Sequence, residues 1–334
     1  MRPGHGSAGV SAVRSAGPFP APAWAGVLAA LVLTVTGCSV SSIAVDRLGN
    51  ALAAGGTTYS ADDDPQFVAQ AVPFSLKLME SLLAERPRHR ELLQAAAAGF
   101  TQYGYAFLQL PADEVAVLEL QQAEDLRGRA RRMYLRAHEY GLRGLEVGHP
   151  GFRALLTVSP PAAAALTTGE DAGLLYWTAA SLAAAIGLAK DDPALVGDLP
   201  KVQALVDRAL QLEESFDDGA IHVLLISFTM ARPDLTGPRL EVAAQHYARA
   251  LELSQSGNAG AHVAWAEAVC EPGGDRQCFE AALHAALAID ADARPACRLA
   301  NLVMQRRASF LLQQIDRRFL PALPAASSAN GVQP

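Results

Sequence analysis

The sequence predicts an all-α fold built from successive antiparallel helix pairs, and three observations carry that prediction. Alanine is abundant while aromatic residues make up only 6% of the chain, a balance that favours helix over sheet. Apolar residues recur at three- and four-residue spacing rather than in alternation. The segments with that period are separated by short connections carrying Gly, Pro or Asp, which lay consecutive helices side by side. With 334 residues and 51% apolar composition, the chain can bury the core of one large or two modest domains, which excludes a disordered polymer. Charged residues make up 18% and the net charge is −7, so no basic surface exists to hold a polyanion and nucleic acid is not an expected partner.

The N-terminus reads as a targeting segment. Arg2 and Arg14 precede an apolar run from Ala21 to Val35, and no acidic residue comes before Cys38. The run is shorter than the ~20 residues of a membrane-spanning helix and ends in Val35-Thr36-Gly37-Cys38. Small residues ahead of a cysteine resemble a bacterial lipoprotein signal, whose cleavage leaves Cys38 as a lipidated N-terminus. An ordinary signal peptide cut elsewhere, or an uncleaved anchor, is the alternative. Ser39 rather than an acid follows the cysteine, which points to the outer membrane, and acyl chains at about 0.8 kcal/mol per buried methylene would hold the protein there. Removing residues 1–37 takes away two arginines and no acid, leaving 25 basic against 34 acidic residues, a net of −9. The expected organisation is thus a signal peptide over 1–37, a lipidated tether over 38–61 with at most a short helix around Ile43 to Leu52, a helical domain over 62–320 and a disordered tail over 321–334.

Within the helical domain, Asp64-Pro65 opens the first helix, an N-cap acid followed by the proline suited to the first turn. Val68, Val72, Leu76, Met79 and Leu83 form one apolar stripe and Phe67, Ala71, Phe74, Leu78 and Leu82 another, so this helix is expected at the centre, with Pro73 kinking it or marking its true start. Arg86-Pro87 stops it, and a second helix from Arg90 to Leu110 follows as its antiparallel neighbour. Further helices are expected near 112–146, 169–190, 201–215, 219–230, 238–254, 259–270, 276–288 and 295–320. Ala243, Tyr247, Ala250, Leu251 and Leu253 have the spacing of the second helix of a tetratricopeptide repeat (TPR), and Val202–Leu212 and Phe279–Ile289 repeat it weakly, which suggests a degenerate TPR-like solenoid; a non-repetitive bundle is the alternative. Cys270 and Cys278 flank a turn-rich Glu271-Pro272-Gly273-Gly274-Asp275 connection, so either they form a disulfide or, with Cys297, they are small buried thiols.

No metal, nucleotide or catalytic motif is present. His-Glu-x-x-His, a Walker A loop and Gly-x-Gly-x-x-Gly after a strand are all lacking, so no cofactor and no metal are expected. Glu80-Ser81 and Glu214-Ser215 resemble the Glu-Ser pair of lytic transglycosylases but lack the segment that should follow, and Asp62-Asp63-Asp64 is better read as a helix cap than as a calcium site. The polar and aromatic residues that interrupt apolar segments are the candidates for a ligand cleft: Tyr103, Tyr176, Trp177, His222, Asn301 and Arg306, with Tyr105 and Arg307 beside them. Each is either satisfied within the fold or turned towards a cavity. For the arginine pair the choice lies between a helix-to-helix salt bridge and capture of a carboxylate.

Six strings then occur in order: Ser60-Ala-Asp62-Asp-Asp-Pro65, Ala71-Val-Pro73-Phe-Ser-Leu-Lys77-Leu-Met-Glu80, Gly99-Phe-Thr-Gln-Tyr103-Gly-Tyr105-Ala-Phe107, Leu174-Leu-Tyr176-Trp177, Gly219-Ala-Ile-His222 and Asn301-Leu-Val-Met-Gln-Arg306-Arg307-Ala308. Together, behind a lipoprotein signal, they resemble the T-component (TatT-like) family of tripartite ATP-independent periplasmic (TRAP) transporters over about residues 38–320. The resemblance implies a lipid-anchored periplasmic protein with TPR-like repeats that forms a homotrimer, binds the transporter's periplasmic substrate-binding subunit and helps deliver a hydrophobic or carboxylate-bearing ligand through a cleft. It brings no catalytic residues. The sequence departs from the pattern where proline is missing after Leu253 and after Asp290, and the cysteine-flanked turn is particular to this chain. A TPR-type envelope scaffold that organises a protein complex without a small ligand is the other reading.

Overall fold

Asp64 starts the first long helix, α1 (Pro65–Glu85), by accepting hydrogen bonds from the backbone N–H groups of Gln66 and Phe67 at 2.9 and 3.0 Å. The computed structural model describes residues 47, 49–51, 56–232 and 237–319, all within the unit Val45–Pro334. The signal peptide, Cys38, much of the tether and the 321–334 tail lie outside the described residues; of the short helix expected around Ile43 to Leu52, residues 47 and 49–51 are described and helical. Every regular element among the described residues is helical, so the chain is all-α.

Helix α1 runs unbroken through Pro73, which forgoes one intrahelical bond but does not end the helix. It is not central. It packs one face on α2 (Arg90–Gly104) and only lightly on other helices, leaving Phe67 and Phe74 at 62% and 73% exposure. By length and composition alone it could cross a membrane. The second helix also ends differently from expectation. A π-helical turn, Tyr105–Gln109, in which Leu110 N–H bonds the Tyr105 carbonyl, carries the chain into α3 (Leu110–Val115). Pro111 thus falls in a new first turn, where its missing N–H costs little, and the break comes at residues 116–119 instead of before 112.

Helix α4 (Leu120–Gly148) lies against α2 on one side and α7 (Ala172–Gly187) on the other. Gly141 permits the second approach, since a Cβ there would sit 2.1 Å from Thr178 Oγ1 and 3.2 Å from the Thr178 Cα. Two short helices, α5 (Phe152–Val158) and α6 (Pro160–Ala165), fill the stretch the apolar pattern left unassigned. The central helix is α7, buried nearly all round through Leu174, Leu175, Tyr176, Thr178, Ala179 and Leu182. Asp171, just ahead of it and buried, ties three elements together through Arg90, His149 (2.9 Å) and the Thr168 N–H (2.7 Å). These partners hold its carboxyl below the ordinary carboxylate range despite the opposing effect of burial.

The stack continues with α8 (Leu199–Leu212) on α7, then α9 (Phe216–Ala231) with α10 (Arg239–Leu253), and α11 (Ala259–Trp265) with α12 (Arg276–Leu287) and α13 (Arg298–Gln313). A second π-helical turn, Ala266–Cys270, extends α11. Cys270 and Cys278 are joined across the following turn with Cα atoms 5.5 Å apart, and Cys297 is free. The largest core surrounds α7 and includes Leu205, Val206, Ile221 and Leu225; a separate core around Phe279, Leu283 and Leu311 serves the C-terminal helices.

Candidate functional site

The first turn of α9 is unusual. Asp217, Asp218 and Gly219 all take left-handed backbone angles, with φ of 46°, 53° and 89°. Two consecutive non-glycine residues there represent stored strain, held in place by surrounding contacts. Asp218 accepts a hydrogen bond from Arg294 and one from Cys297 Sγ at 3.4 Å, while Gly219 has Leu253 Cβ 3.1 Å from the position its own Cβ would occupy. Burial, with Asp218 beside it, pushes the Asp217 carboxyl above its ordinary range. Phe216 packs against Tyr176 (ring centroids 5.2 Å apart), and Tyr176 meets Trp177 edge-on at 4.8 Å. Three of the predicted residues, Tyr176, Trp177 and His222, are therefore gathered around the first half of α9.

One turn further, His222 is 5% exposed and links two partners. Its Nε2 lies 3.2 Å from Glu214 Oε1 and its Nδ1 lies 2.9 Å from Nδ1 of His246 on α10. Arg249 clasps the same carboxylate with two bonds of 2.8 Å and, as the larger cause, draws Glu214 down to about 2. A carboxylate acceptor places the His222 proton on Nε2, which leaves Nδ1 as an acceptor and makes His246 Nδ1–H the donor between the rings. His246 then keeps one ring nitrogen, Nε2, as an acceptor with no partner among the described residues. Burial, reinforced by His222, lowers His246 to about 4 and burial lowers His222 as well, so both rings are neutral near pH 7.

His246 lines a cavity of about 260 Å³ bounded by α8, α9 and α10. Each helix contributes a stripe at helical spacing: Gln203, Asp207 and Leu210; Leu225, Phe228 and Thr229; Val242 and His246. The cavity exists because α8 packs mainly on α7 and touches α9 only lightly, so the two halves of the stack part here. Gln203 donates to Asp207 at 2.5 Å and accepts from Arg232, and burial pushes the Asp207 carboxyl above its ordinary range. Apolar walls with a few convergent polar groups are the usual composition of a small-molecule site. A wider surface hollow of about 740 Å³ over the α1–α2 connection is lined by Asn50 and Glu85–Glu91, all charged or polar residues except Pro87, and so lacks that composition.

The other predicted residues are placed elsewhere. Tyr103 lies 5.9 Å from Phe107 in the packing between α2 and α4, far along the chain from the cavity walls. Asn301 is a structural clamp, accepting from the Ala259 N–H and donating to the Gly257 carbonyl, both at 3.0 Å. Arg306 is exposed and pairs with Glu114 at 2.6 Å, whereas its neighbour Arg307 is buried and bonds Glu267 (2.6 Å) and Asp113 (3.0 Å). Glu267 belongs to the second π-helical turn and Asp113 to the short helix that follows the first, so Arg307 joins α3 and the end of α11 to α13. Tyr105 borders this cluster, and burial followed by the Glu267 charge raises its hydroxyl. Glu80, the other suspected acid, is occupied by Lys77, Tyr140 and Arg136.

Sequence reasoning missed Asp207, Gln203 and His246. The available signal was their register: Gln203 and Asp207 are four residues apart on one face of α8, and His246 stands beside the Tyr247 that marks a repeat-like helix. Tyr247 itself is packing, stacked on Trp265 at 4.8 Å and bonded to His262 at 2.6 Å.

Comparison with known proteins agrees with the residue strings. Residues 61–319 match the TRAP transporter T-component family. An uncharacterised protein of Treponema pallidum (strain Nichols) is 30% identical over 306 residues, covering 86% of this chain and 95% of its own length. The T-component is an accessory of a cell-envelope transporter and not an enzyme family. This chain belongs to the TRAP transporter T-component family.

Proposed function

We propose that the chain is a periplasmic lipoprotein, cleaved before Cys38 and anchored by it to the outer membrane, that docks the substrate-binding subunit of its TRAP transporter as a homotrimer and passes a hydrophobic ligand through the cleft between α8, α9 and α10. The family match along the whole helical body supports the docking role. The observation that carries the ligand role is the apolar cavity opened where α8 and α9 part, with Asp207 and His246 facing it. Degenerate TPR-like pairing would supply such a concave surface. A carboxylate ligand held by Arg306 has less support, since that guanidinium is exposed and already paired with Glu114.

Native mass spectrometry of the protein gently extracted from its own membranes tests the proposal. The expected species is an acylated trimer carrying the binding protein, and Cys38→Ser should release the chain from membranes. Failure of the mature protein to bind the folded substrate-binding subunit at high micromolar concentration would overturn the docking role and favour the envelope scaffold.

A further inference from the structure

We propose that the cavity between α8, α9 and α10 takes a small apolar ligand bearing a protonated amine, with the ammonium seated on Asp207 and on the free Nε2 of His246. The inference rests on reading this cleft as the ligand passage and names the chemistry of what it holds. At about 260 Å³ the space lies below the ~300–1,000 Å³ of drug-sized sites, so the ligand is small.

The polar interior offers two unpartnered acceptors, with the Thr229 hydroxyl, which can give or take a bond, on the same wall. Asp207 Oδ1 receives one bond from Gln203, and Oδ2 has no partner among the described residues. His246 donates from Nδ1 to His222 and offers only a lone pair at Nε2. The carbonyl of the Gln203 side chain is taken by Arg232. Two cations border this interior. Arg232 lies over the Phe228 ring, 5.6 Å from its centroid, and its charge is felt at Asp207, while Arg239 lines the exposed mouth, where its Nη1 bonds the carbonyls of Met230 and Arg232.

Three head groups can be compared on this geometry. A carboxylate would face the Asp207 charge and the His246 lone pair, with its donors confined to the Thr229 hydroxyl and to Arg239 at the mouth, which is a poor balance in a site partly withdrawn from water. A hydroxyl supplies one donor for two acceptors. An ammonium supplies three donors and compensates the partly buried carboxylate, whose pKa burial raises even against the Gln203 bond and the Arg232 charge. His246 does not compete as a cation, being neutral near pH 7. Leu210, Leu225, Phe228 and Val242 then hold the alkyl body.

The test uses three probes sharing one branched skeleton, isoamylamine, isoamyl alcohol and 4-methylpentanoate, titrated into the mature protein by calorimetry with protein-observed NMR. The amine is expected to bind at least about tenfold tighter than the carboxylate, and Asp207→Asn to erase that preference. Val242→Trp, which fills the cavity from its rim and leaves Asp207 unchanged, should block all three probes and keeps the test valid if Asp207→Asn folds poorly. Equal or tighter binding of 4-methylpentanoate, a preference that survives Asp207→Asn, or no saturable amine binding by about 10 mM would each overturn the proposal. Docking of the substrate-binding subunit is measured on the same samples, so that loss of amine selectivity with docking intact refutes this inference alone.

Discussion

Replacing Arg307 with alanine should destabilise the protein far more than the same change at Arg306, its neighbour in sequence. The Arg307 side chain is 6% exposed and bonds Glu267 through Nη2 at 2.6 Å and Nε at 3.1 Å, and Asp113 through Nη2 at 3.0 Å. Asp113 keeps a second partner, Arg127 at 3.1 Å, but Glu267 keeps none among these bonds. Truncation therefore strands a carboxylate that is 27% exposed. Removing one member of a buried ion pair costs about 3–5 kcal/mol, and the residual exposure of Glu267 argues for the lower end, about 3. At ~2–4 °C per kcal/mol for a domain of this size, the melting temperature should fall by about 6–12 °C. Arg306 is 58% exposed with a single bond to Glu114, and its loss should cost ~0–1 kcal/mol. Urea unfolding followed by far-ultraviolet circular dichroism measures both. The double variant Arg307→Ala/Glu267→Ala should be less destabilised than the sum of its singles, because it leaves no stranded charge. The reasoning fails if Arg306→Ala costs as much as Arg307→Ala, or if Arg307→Ala stays within about 1 kcal/mol of the wild type.

Three further outcomes are expected. His246 drops from its ordinary 6.5 to about 4 on folding, so its contribution to stability is complete above about pH 6.5 and is lost as pH falls towards 4, on the order of 2 kcal/mol after allowing for partial exposure; His222, Glu214, Arg249 and Asp207 are the titratable and charged groups around it, and His246→Gln should flatten urea midpoints across that interval, an unchanged slope counting against the histidine pair. Gly219→Ala should cost about 2 kcal/mol, since alanine resists the left-handed angle of 89° and meets Leu253, and a melting temperature equal to the wild type would contradict the strained turn. The Cys270–Cys278 bond closes only a short loop in the unfolded chain, so Cys278→Ser should cost about 2 kcal/mol and remove the effect of reductant on melting; a reductant effect of equal size in the variant would show that this bond is not its source.

Much of the architecture could be read from local pattern. The cap at Asp64, the stop near Arg86 and the short connections that pair α11 with α12 depend on residues a few positions apart, and they stand where the pattern puts them. Apolar content misled where it had to be weighed against position in the stack: α1 carries two apolar stripes yet lies at the edge, while α7, shorter and rich in alanine, is the one enclosed by neighbours. Backbone detail was beyond the pattern altogether. The π-helical turns at Tyr105–Gln109 and Ala266–Cys270 add one residue to a turn without changing the composition that a period is read from.

The candidate site divides the same way. Tyr176, Trp177 and His222 stood out because each interrupts an apolar run, and they do gather around α9. Asp207 and His246 look like ordinary surface residues of amphipathic helices, and only the separation of α8 from α9 turns them inward. The sequence by itself determined the helical class, most helix starts and stops, and the family, since these follow from period, capping and short strings. Tertiary structure alone decided that Arg307 and not Arg306 is buried, and which acceptors share a cavity. Adjacent residues on a helix point about 100° apart, and only the helices packed around them select the one that leaves water.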